Sequence, residues 1–213
     1  MHYQGDISLL SIPTNQLLKY DKINVNIEAN YLMSSAYMIS EMSILRSTVH
    51  PDVNAPKTQF QRIATRGIIT QGEDILLIFT ARYHDYSLPG GGVNNGEDIV
   101  SGLIREIEEE TGAQNINNVK PYGIYEELRP WYKPDFDAMH MLSYCFTCSA
   151  DKELGEARLE ENEIQNGVSA EWINIHAAIA HNREVINSHP KAGLSIERET
   201  YLLEKIAQEL ATK

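Results

Sequence analysis

The sequence is poor in basic residues and has no long apolar run. Lys and Arg number 18 against 30 Asp and Glu, so the formal net charge is −12. A surface that follows the phosphates of a long nucleic acid needs clustered Lys and Arg, so polymeric nucleic acid is not an expected partner. A spanning helix needs about 20 apolar residues, and the N-terminus lacks the basic and apolar regions of a secretory signal. We therefore expect a cytoplasmic protein with no membrane partner.

Cysteine is also scarce, and the two that occur, Cys145 and Cys148, form a C-x-x-C pattern. This pattern invites a redox or metal-binding interpretation. The surrounding HMLSYCFTCSA is typical of a strand, in which residues three apart point to opposite faces. We therefore expect the two sulfur atoms not to meet, with one thiol in the core and the other facing outward.

The chain has 213 residues, of which 42% are hydrophobic, so it can bury a full core within one main domain. We predict a division into an N-terminal helical extension, residues 1–58, and a main domain, residues 59–213. In the extension, apolar residues recur at helical spacing, at Leu32, Ala36, Ile39 and Met42. A second apolar set at similar spacing favours burial against the main domain or against a second subunit, and the second alternative would make the protein a homodimer.

The main domain alternates strand and helix patterns. Strands are predicted at residues 61–70, 74–83, 120–128, 138–148 and 170–175, with a terminal helix at 195–210. A central helix lies between these strands, after a glycine-rich stretch. The predicted fold class is therefore α/β (α+β), a mixed sheet packed between helices.

The central helix carries an unusual concentration of acid. Glu106, Glu108, Glu109 and Glu110 occupy four of five consecutive positions, although neighbouring like charges repel. Glu106, Glu109 and Glu110 stand at i, i+3 and i+4, so their carboxylates converge on one face. A divalent cation compensates such a group, and all-oxygen ligation suits Mg²⁺ or Mn²⁺. The alternative is a solvated acidic face tempered by Arg105.

The residues before the helix favour the metal interpretation. Gly90, Gly91 and Gly92 allow the backbone to approach a metal or an anion closely. The whole stretch resembles the signature of the Nudix hydrolases, G-x5-E-x7-R-E-U-x-E-E-x-G-U, with U an aliphatic residue. The fixed positions, in residues 91–113, are filled by Gly91, Glu97, Arg105, Glu106, Ile107, Glu109, Glu110, Gly112 and Ala113.

The resemblance implies hydrolysis of a nucleoside diphosphate linked to another moiety, with Mg²⁺ or Mn²⁺ as cofactor. It implies that Glu106, Glu109 and Glu110 are metal ligands, with the Gly91 carbonyl as a further ligand. Arg105 then orients these carboxylates, and Glu97 supports the site together with Gly90 and Gly92.

The general base stays open between two kinds of acid, because the family uses either the first glutamate of the R-E pair or an acid further along the chain. Glu106 is the first candidate. Among Glu160, Glu161 and Glu163, the position just before the strand at 170–175 favours Glu163.

Substrate specificity is expected outside the signature. Trp131 and Tyr132 could stack on a base, and Arg66, Arg82 and Arg129 are candidates for phosphate contacts. The expected substrate is of the ADP-ribose or nucleotide-sugar type. The alternatives are a catalytically silent, nucleotide-sensing regulator and a house-cleaning nucleoside triphosphate pyrophosphohydrolase.

Overall fold

The computed structural model describes residue 35, residues 37–188 and residues 193–212. The strands within these residues are β1 (Ile44–Val49), β2 (Gln59–Ile68), β3 (Thr70–Gln71), β4 (Asp74–Thr80), β5 (Asp85–Ser87), β6 (Asn117–Pro130), β7 (Ala138–Ser149) and β8 (Val168–Asn174). The named helices are α1 (Ile99–Thr111), α2 (Glu161–Asn166), α3 (Ile175–Ser188) and α4 (Ile196–Leu210). None of the helices in the described ranges is long and apolar enough to cross a membrane.

The strands form two sheets. The first has the order β1-β6-β7-β2 and is mixed, because β1 pairs with β6 and β2 pairs with β7 in parallel while β6 and β7 are antiparallel. The second has the order β3-β4-β5, and β8 pairs with β4 in antiparallel register. β4 is buried along most of its length, because apolar side chains point from it to both faces.

Helices cover both sides of these sheets. On one side, Leu103 and Ile107 of α1 pack in a cluster with Leu76 and Phe146. On the other, the apolar faces of α3 and α4 pack in a second cluster around Leu77 and other strand residues. The predicted fold class, a mixed sheet between helices, is confirmed.

Most predicted strands coincide with observed ones, but four elements, β1, β5, α2 and α3, went unpredicted. Residues 44–49 fall within the predicted helical extension and form β1, which pairs with β6 of the main sheet. Residues 175–188 form α3, which the apolar pattern of that stretch did not suggest. The helical prediction is therefore wrong for Ile44 and Leu45, and the domain division at residue 58 stays a prediction.

The predicted N-terminal helix lies largely outside the described residues, which include helical residues 37–40. Met38, Ile39 and Met42 pack against the cluster around α1. This end of the extension therefore lies on the main domain.

The two cysteines follow the predicted strand geometry but not the predicted exposure. Cys145 packs in the cluster under α4, and Cys148 packs in the cluster under α1. Both are free and buried, so the expectation of one outward thiol is wrong. The reason is that helices cover both faces of β7.

Candidate active site

The acidic helix α1 is fixed at both ends by its own sequence. Asp98 is the N-cap, since its side chain accepts hydrogen bonds from the backbone amides of Val100 and Ser101. At the other end, Gly112 has φ of 68° and donates its amide proton to the Glu108 carbonyl. Between the caps, the buried stripe docks α1 on the sheet and leaves the glutamates beside the glycine stretch.

The glycine stretch runs beside β2 as an additional strand. The Thr65 amide donates to the Gly91 carbonyl at 2.9 Å, and the Gly67 amide donates to the Pro89 carbonyl at 2.8 Å. Ala64 and Gly92 form an antiparallel bridge. We call residues 88–92 the glycine loop. Its backbone is thereby fixed to the main sheet next to α1.

Two glycines of this loop are required by close contacts. Gly90 has φ of 135°, and a Cβ on it would lie 2.2 Å from the Thr65 carbonyl oxygen. A Cβ on Gly91 would lie 2.3 Å from Oε2 of Glu106. The Glu106 carboxylate therefore rests directly on the glycine backbone.

Arg105 joins the glutamates to the loop. Its Nε donates to Oε1 of Glu97 at 2.7 Å and its Nη2 donates to Oε2 of Glu97 at 2.9 Å. Its Nη1 donates to Glu106 at 2.8 Å and to Glu109 at 3.2 Å. The hydrogen bonds from Arg105 lower the pKa of Glu97 to about 2. Arg105 and Glu97 thus occupy positions that suit their expected orienting and supporting roles.

Glu110 contacts the loop from the other side of the glutamate group. Its Oε2 accepts a hydrogen bond from the Gly90 amide at 2.6 Å. Burial raises the pKa of Glu110 to about 8, and the nearby Glu163 and Glu106 carboxylates act in the same direction. A cation beside Glu110 would therefore favour its ionised form.

Helix α2 brings Glu163 to the same place. The segment leading to α2 is tied to the C-terminal end of α1, since the Gly155 amide donates to Gly112 and the Arg158 amide donates to Glu109, both at 2.7 Å. Burial raises the pKa of Glu163, and the negative charges of Glu160, Glu106 and Glu109 add to the effect. No Lys or Arg of the described residues forms an ion pair with Glu163.

These residues enclose a cleft of about 480 Å³. We call it the acidic cleft. It is lined by Phe60, Gln61, Arg62, Ile63, Gly91, Gly92, Val93, Asn94, Glu106, Glu110, Glu160, Asn162 and Glu163. Predicted residues from both the signature and the later acidic stretch therefore meet in one cavity.

The donor set of the acidic cleft suits a hard divalent cation, because it consists of carboxylate and carbonyl oxygens. In the described parts of the chain, no three Asp, Glu, His or Cys side chains already stand at metal-holding distances. Arg105 draws Glu106 and Glu109 toward itself, while Glu110 bonds to Gly90. The Gly91 carbonyl accepts from Thr65, which leaves one of its two lone pairs.

The three arginines predicted to contact phosphate lie in different surroundings. Arg66 is buried, and its Nη1 donates to the Gly90 and Thr65 carbonyls. Arg129 is largely buried and pairs with Glu127 at 3.1 Å. Arg82 is exposed and donates to Asn166, the last residue of α2, at 3.1 Å. None of the three lines the acidic cleft.

Arg62 was not predicted, yet it is the basic residue that lines the acidic cleft. It is exposed, and its side chain forms no hydrogen bond or ion pair among the described residues. A Cβ on Gly92 would lie 3.2 Å from its Nη2 atom, so its guanidinium lies against the glycine loop. The available signal was its position four residues before Arg66 on β2, which places both arginines on the same face of the strand.

The predicted aromatic residues stand at the edge of the acidic cleft. The ring of Phe60, which lines the cleft, lies 4.8 Å from that of Trp131. The Trp131 ring lies 4.4 Å from that of Tyr132, whose side chain is 81% exposed. Trp131 and Tyr132 therefore connect to the cleft through Phe60 and do not line it themselves.

A domain profile and two relatives match parts of this sequence. The NUDIX domain profile matches residues 61–192, well over half of the chain. A segment of 57 residues is 37% identical to an RNA pyrophosphohydrolase of Bartonella quintana (strain Toulouse), covering 27% of this chain and 30% of the relative. A segment of 51 residues is 37% identical to that of Bartonella clarridgeiae, covering 24% and 26%. The chain thus spans less than a third of these relatives' length.

Two solved structures of NUDIX hydrolases match part of this chain, both with TM-scores below 0.5. A NUDIX hydrolase from Nitrosomonas europaea has a TM-score of 0.46 at 19% identity, covering 64% of this chain and 95% of its own. A MutT NUDIX hydrolase from Burkholderia pseudomallei has a TM-score of 0.41 at 19% identity, covering 55% and 85%. The profile match spans the glycine loop, α1 and α2. The predicted enzyme class, a hydrolase of phosphoric anhydrides, is therefore confirmed. The chain belongs to the Nudix family of hydrolases.

Proposed function

We propose that this hydrolase acts on a nucleoside diphosphate linked to another moiety, of the ADP-ribose or nucleotide-sugar type. The observation that carries the proposal is the acidic cleft, which glutamates of α1, Glu163 of α2 and the glycine loop line together. Its size, about 480 Å³, is within the range of small-molecule sites. A diphosphate enters such a cleft only with cationic compensation, because its charge has the same sign as the lining carboxylates.

Mg²⁺ or Mn²⁺ is the proposed cofactor, with Glu106, Glu109, Glu110 and the Gly91 carbonyl as the residues that would hold it. Bound there, the ion would neutralise the diphosphate and lower the pKa of an attacking water. Arg105 holds Glu106 and Glu109 by charged hydrogen bonds, so it sets the orientation of their free oxygens. Glu97 in turn fixes Arg105 through two hydrogen bonds.

Glu163 is the proposed general base. Its raised pKa and its lack of a basic partner among the described residues suit a group that takes a proton from the attacking water. One of its oxygens accepts from the Glu160 amide at 2.7 Å, which fixes the side chain at the start of α2. Glu106, the alternative, already accepts from Arg105 and rests on Gly91, which suits a ligand better.

Arg62 is proposed to contact the diphosphate, in place of the buried Arg66 and Arg129. It is exposed, unpaired among the described residues and next to Gly92. Arg82 keeps its candidate role at the α2 end of the site, and Trp131 and Tyr132 are proposed to stack on the base. The names of the two Bartonella relatives, RNA pyrophosphohydrolase, make RNA a second candidate substrate. A homodimer and a cytoplasmic location stay predictions.

The test is a substrate panel assayed with Mg²⁺ or Mn²⁺: ADP-ribose, nucleotide sugars, dinucleoside polyphosphates, nucleoside triphosphates and a 5′-triphosphorylated RNA oligomer. We expect the diphosphate-linked compounds to be turned over fastest, with turnover lost in Glu109→Gln. Glu108→Gln is the matched control, since this residue is adjacent but pairs outward with Arg158 at 3.9 Å.

Other outcomes identify the competing functions. Preference for the RNA oligomer or for triphosphates would move the protein to those substrate classes. Tight nucleotide binding with no turnover would indicate a regulator. Undiminished turnover in Glu109→Gln would refute the proposed ligand set.

A further inference from the structure

A buried group of charged residues lies next to the glycine loop, under α4. We call Arg66, Glu127, Arg129, Arg198 and Glu199 the buried charge network. Arg198 donates to Glu199 at 2.7 and 3.0 Å and to Glu127 at 2.8 Å. The Glu199 side chain is 1% exposed, and burying a carboxylate so completely is costly unless it is paired and hydrogen-bonded.

Glu199 also reaches the loop itself. Its Oε2 accepts a hydrogen bond from the Leu88 amide at 3.0 Å, the buried amide at the start of the loop. Its Oε1 lies 3.6 Å from Nε of Arg66, and Nη1 of Arg66 donates to the Gly90 carbonyl. The Leu88 amide and the Gly90 carbonyl are therefore held by this carboxylate and its arginine.

The same peptide segment contacts the acidic cleft. The Gly90 amide donates to Glu110 at 2.6 Å, while the Gly90 carbonyl accepts from Arg66. A continuous series of polar contacts thus joins Arg198 and Glu199 of α4, through Leu88 and Gly90, to Glu110 of α1. Each contact is buried or partly buried, so water is a poor substitute for a lost partner.

We infer that Glu199 is a positioning residue for hydrolysis: it fixes Leu88–Gly90 so that the Gly90 amide holds Glu110 in the acidic cleft. The effect on hydrolysis rests on the proposed function of the acidic cleft. The effect on the position of Leu88–Gly90 does not. The C-terminal helix is thereby part of the machinery that shapes the site, although none of its side chains lines the cleft.

The test uses the full-length chain without metal. In Glu199→Gln, amide hydrogen exchange measured by NMR in EDTA should accelerate at Leu88 and Gly90 at least tenfold more than at Leu76. The Leu76 amide bonds to the Ile69 carbonyl at 3.0 Å, away from the loop, and reports general opening. The control variant is Glu204→Gln, which lies on α4 as Glu199 does and removes a surface pair with Arg183 of α3.

Hydrolysis gives the second readout. With the substrate identified by the panel, we expect kcat to fall about 10- to 100-fold in Glu199→Gln, because small misplacement of a site group is costly. KM should change less than threefold, since Glu199 does not line the cleft. A higher Mg²⁺ concentration should be needed for half-maximal rate.

Glu199→Asp keeps the inference testable if Glu199→Gln does not fold. Aspartate retains the charge beside Arg66 and Arg198 but withdraws the oxygens from Leu88 by about 1.5 Å, one bond length. Faster exchange at Gly90 in a stably folded Glu199→Asp protein would support the inference. Unchanged exchange at Gly90 and unchanged kcat in either folded variant would overturn it. Absence of hydrolysis in the wild-type protein would instead refute the proposed function and leave the exchange result to decide this inference.

Discussion

The acidic cleft and the buried charge network both contact the glycine loop, and they differ in how their charge is balanced. In the network each carboxylate bonds to at least one arginine, with distances of 2.7 to 3.1 Å. In the cleft, Glu110 and Glu163 have raised pKa values and no ion pair among the described residues. Balanced buried charge serves structure, whereas unbalanced acid beside solvent indicates a site that receives a cation.

The first prediction concerns a variant that changes the acidic cleft and leaves the buried charge network unchanged. Glu110→Gln keeps an oxygen that accepts from the Gly90 amide but removes a proposed ligand charge. We expect kcat to fall about 1000-fold, because a site metal supplies several kcal/mol of charge stabilisation. The melting temperature in EDTA should stay equal near pH 7, where Glu110 is already largely protonated, and should rise above pH 8, where the replacement removes a negative charge. A large loss of metal-free stability with retained turnover would show that Glu110 stabilises the fold and does not serve the metal site.

The second prediction breaks the network. Arg198→Met leaves Glu127 and Glu199 buried beside fewer cations, and the free energy of unfolding in urea should fall by about 3–5 kcal/mol. Arg183→Met, which removes an exposed pair, should change it by less than about 1 kcal/mol. Equal losses in the two variants would show that the network has no special structural role.

The third prediction concerns Arg62, the arginine that lines the acidic cleft. Arg62→Ala should raise KM about tenfold or more, the value of one charged hydrogen bond to a phosphate. Stability should not change, since Arg62 is exposed and without an ion pair among the described residues. Steady-state kinetics on the best substrate, compared with Arg158→Ala, measures this. A kcat loss at constant KM would assign Arg62 to the chemical step instead.

The fourth prediction is a pH dependence of metal-free stability. An unfolded Glu has a pKa of about 4.3, whereas the pKa of Glu110 is raised to about 8 in the folded protein. Between these values the folded state binds the extra proton, so the free energy of unfolding falls as pH rises from about 5 to 8. Urea titrations in EDTA should show the decline above pH 6.5 in the wild-type protein and a flatter curve in Glu110→Gln. The raised pKa of Asp85, about 6, adds a decline at lower pH in both proteins.

Local sequence predicted the elements whose signals are local. The acidic helix lies where its own residues predicted it, and β6 and β7 contain their predicted ranges. The edge strand β1 was missed because its stability comes from pairing with β6, about 80 residues away. Helix α3 was missed because its apolar residues can be interpreted as a core-facing stripe only when the strands that they cover are known.

Site residues divide in the same way. Glu106, Glu110 and Glu163 come together as the signature and the later acidic stretch suggested. Arg66 was expected to meet phosphate, but α4 packs over it and its guanidinium bonds to Gly90. Arg62 on the same strand stays outside that packing. No local pattern distinguishes the two arginines, because their difference in burial arises from tertiary contacts.

Mn²⁺ binding followed by electron paramagnetic resonance tests the central claim most directly. The account predicts that the wild-type chain binds Mn²⁺ without substrate, that Glu106→Gln and Glu110→Gln weaken binding at least tenfold, and that Glu108→Gln does not. Equal affinity in all four proteins, or no binding by the wild-type chain, would contradict the claim that the acidic cleft receives the cation.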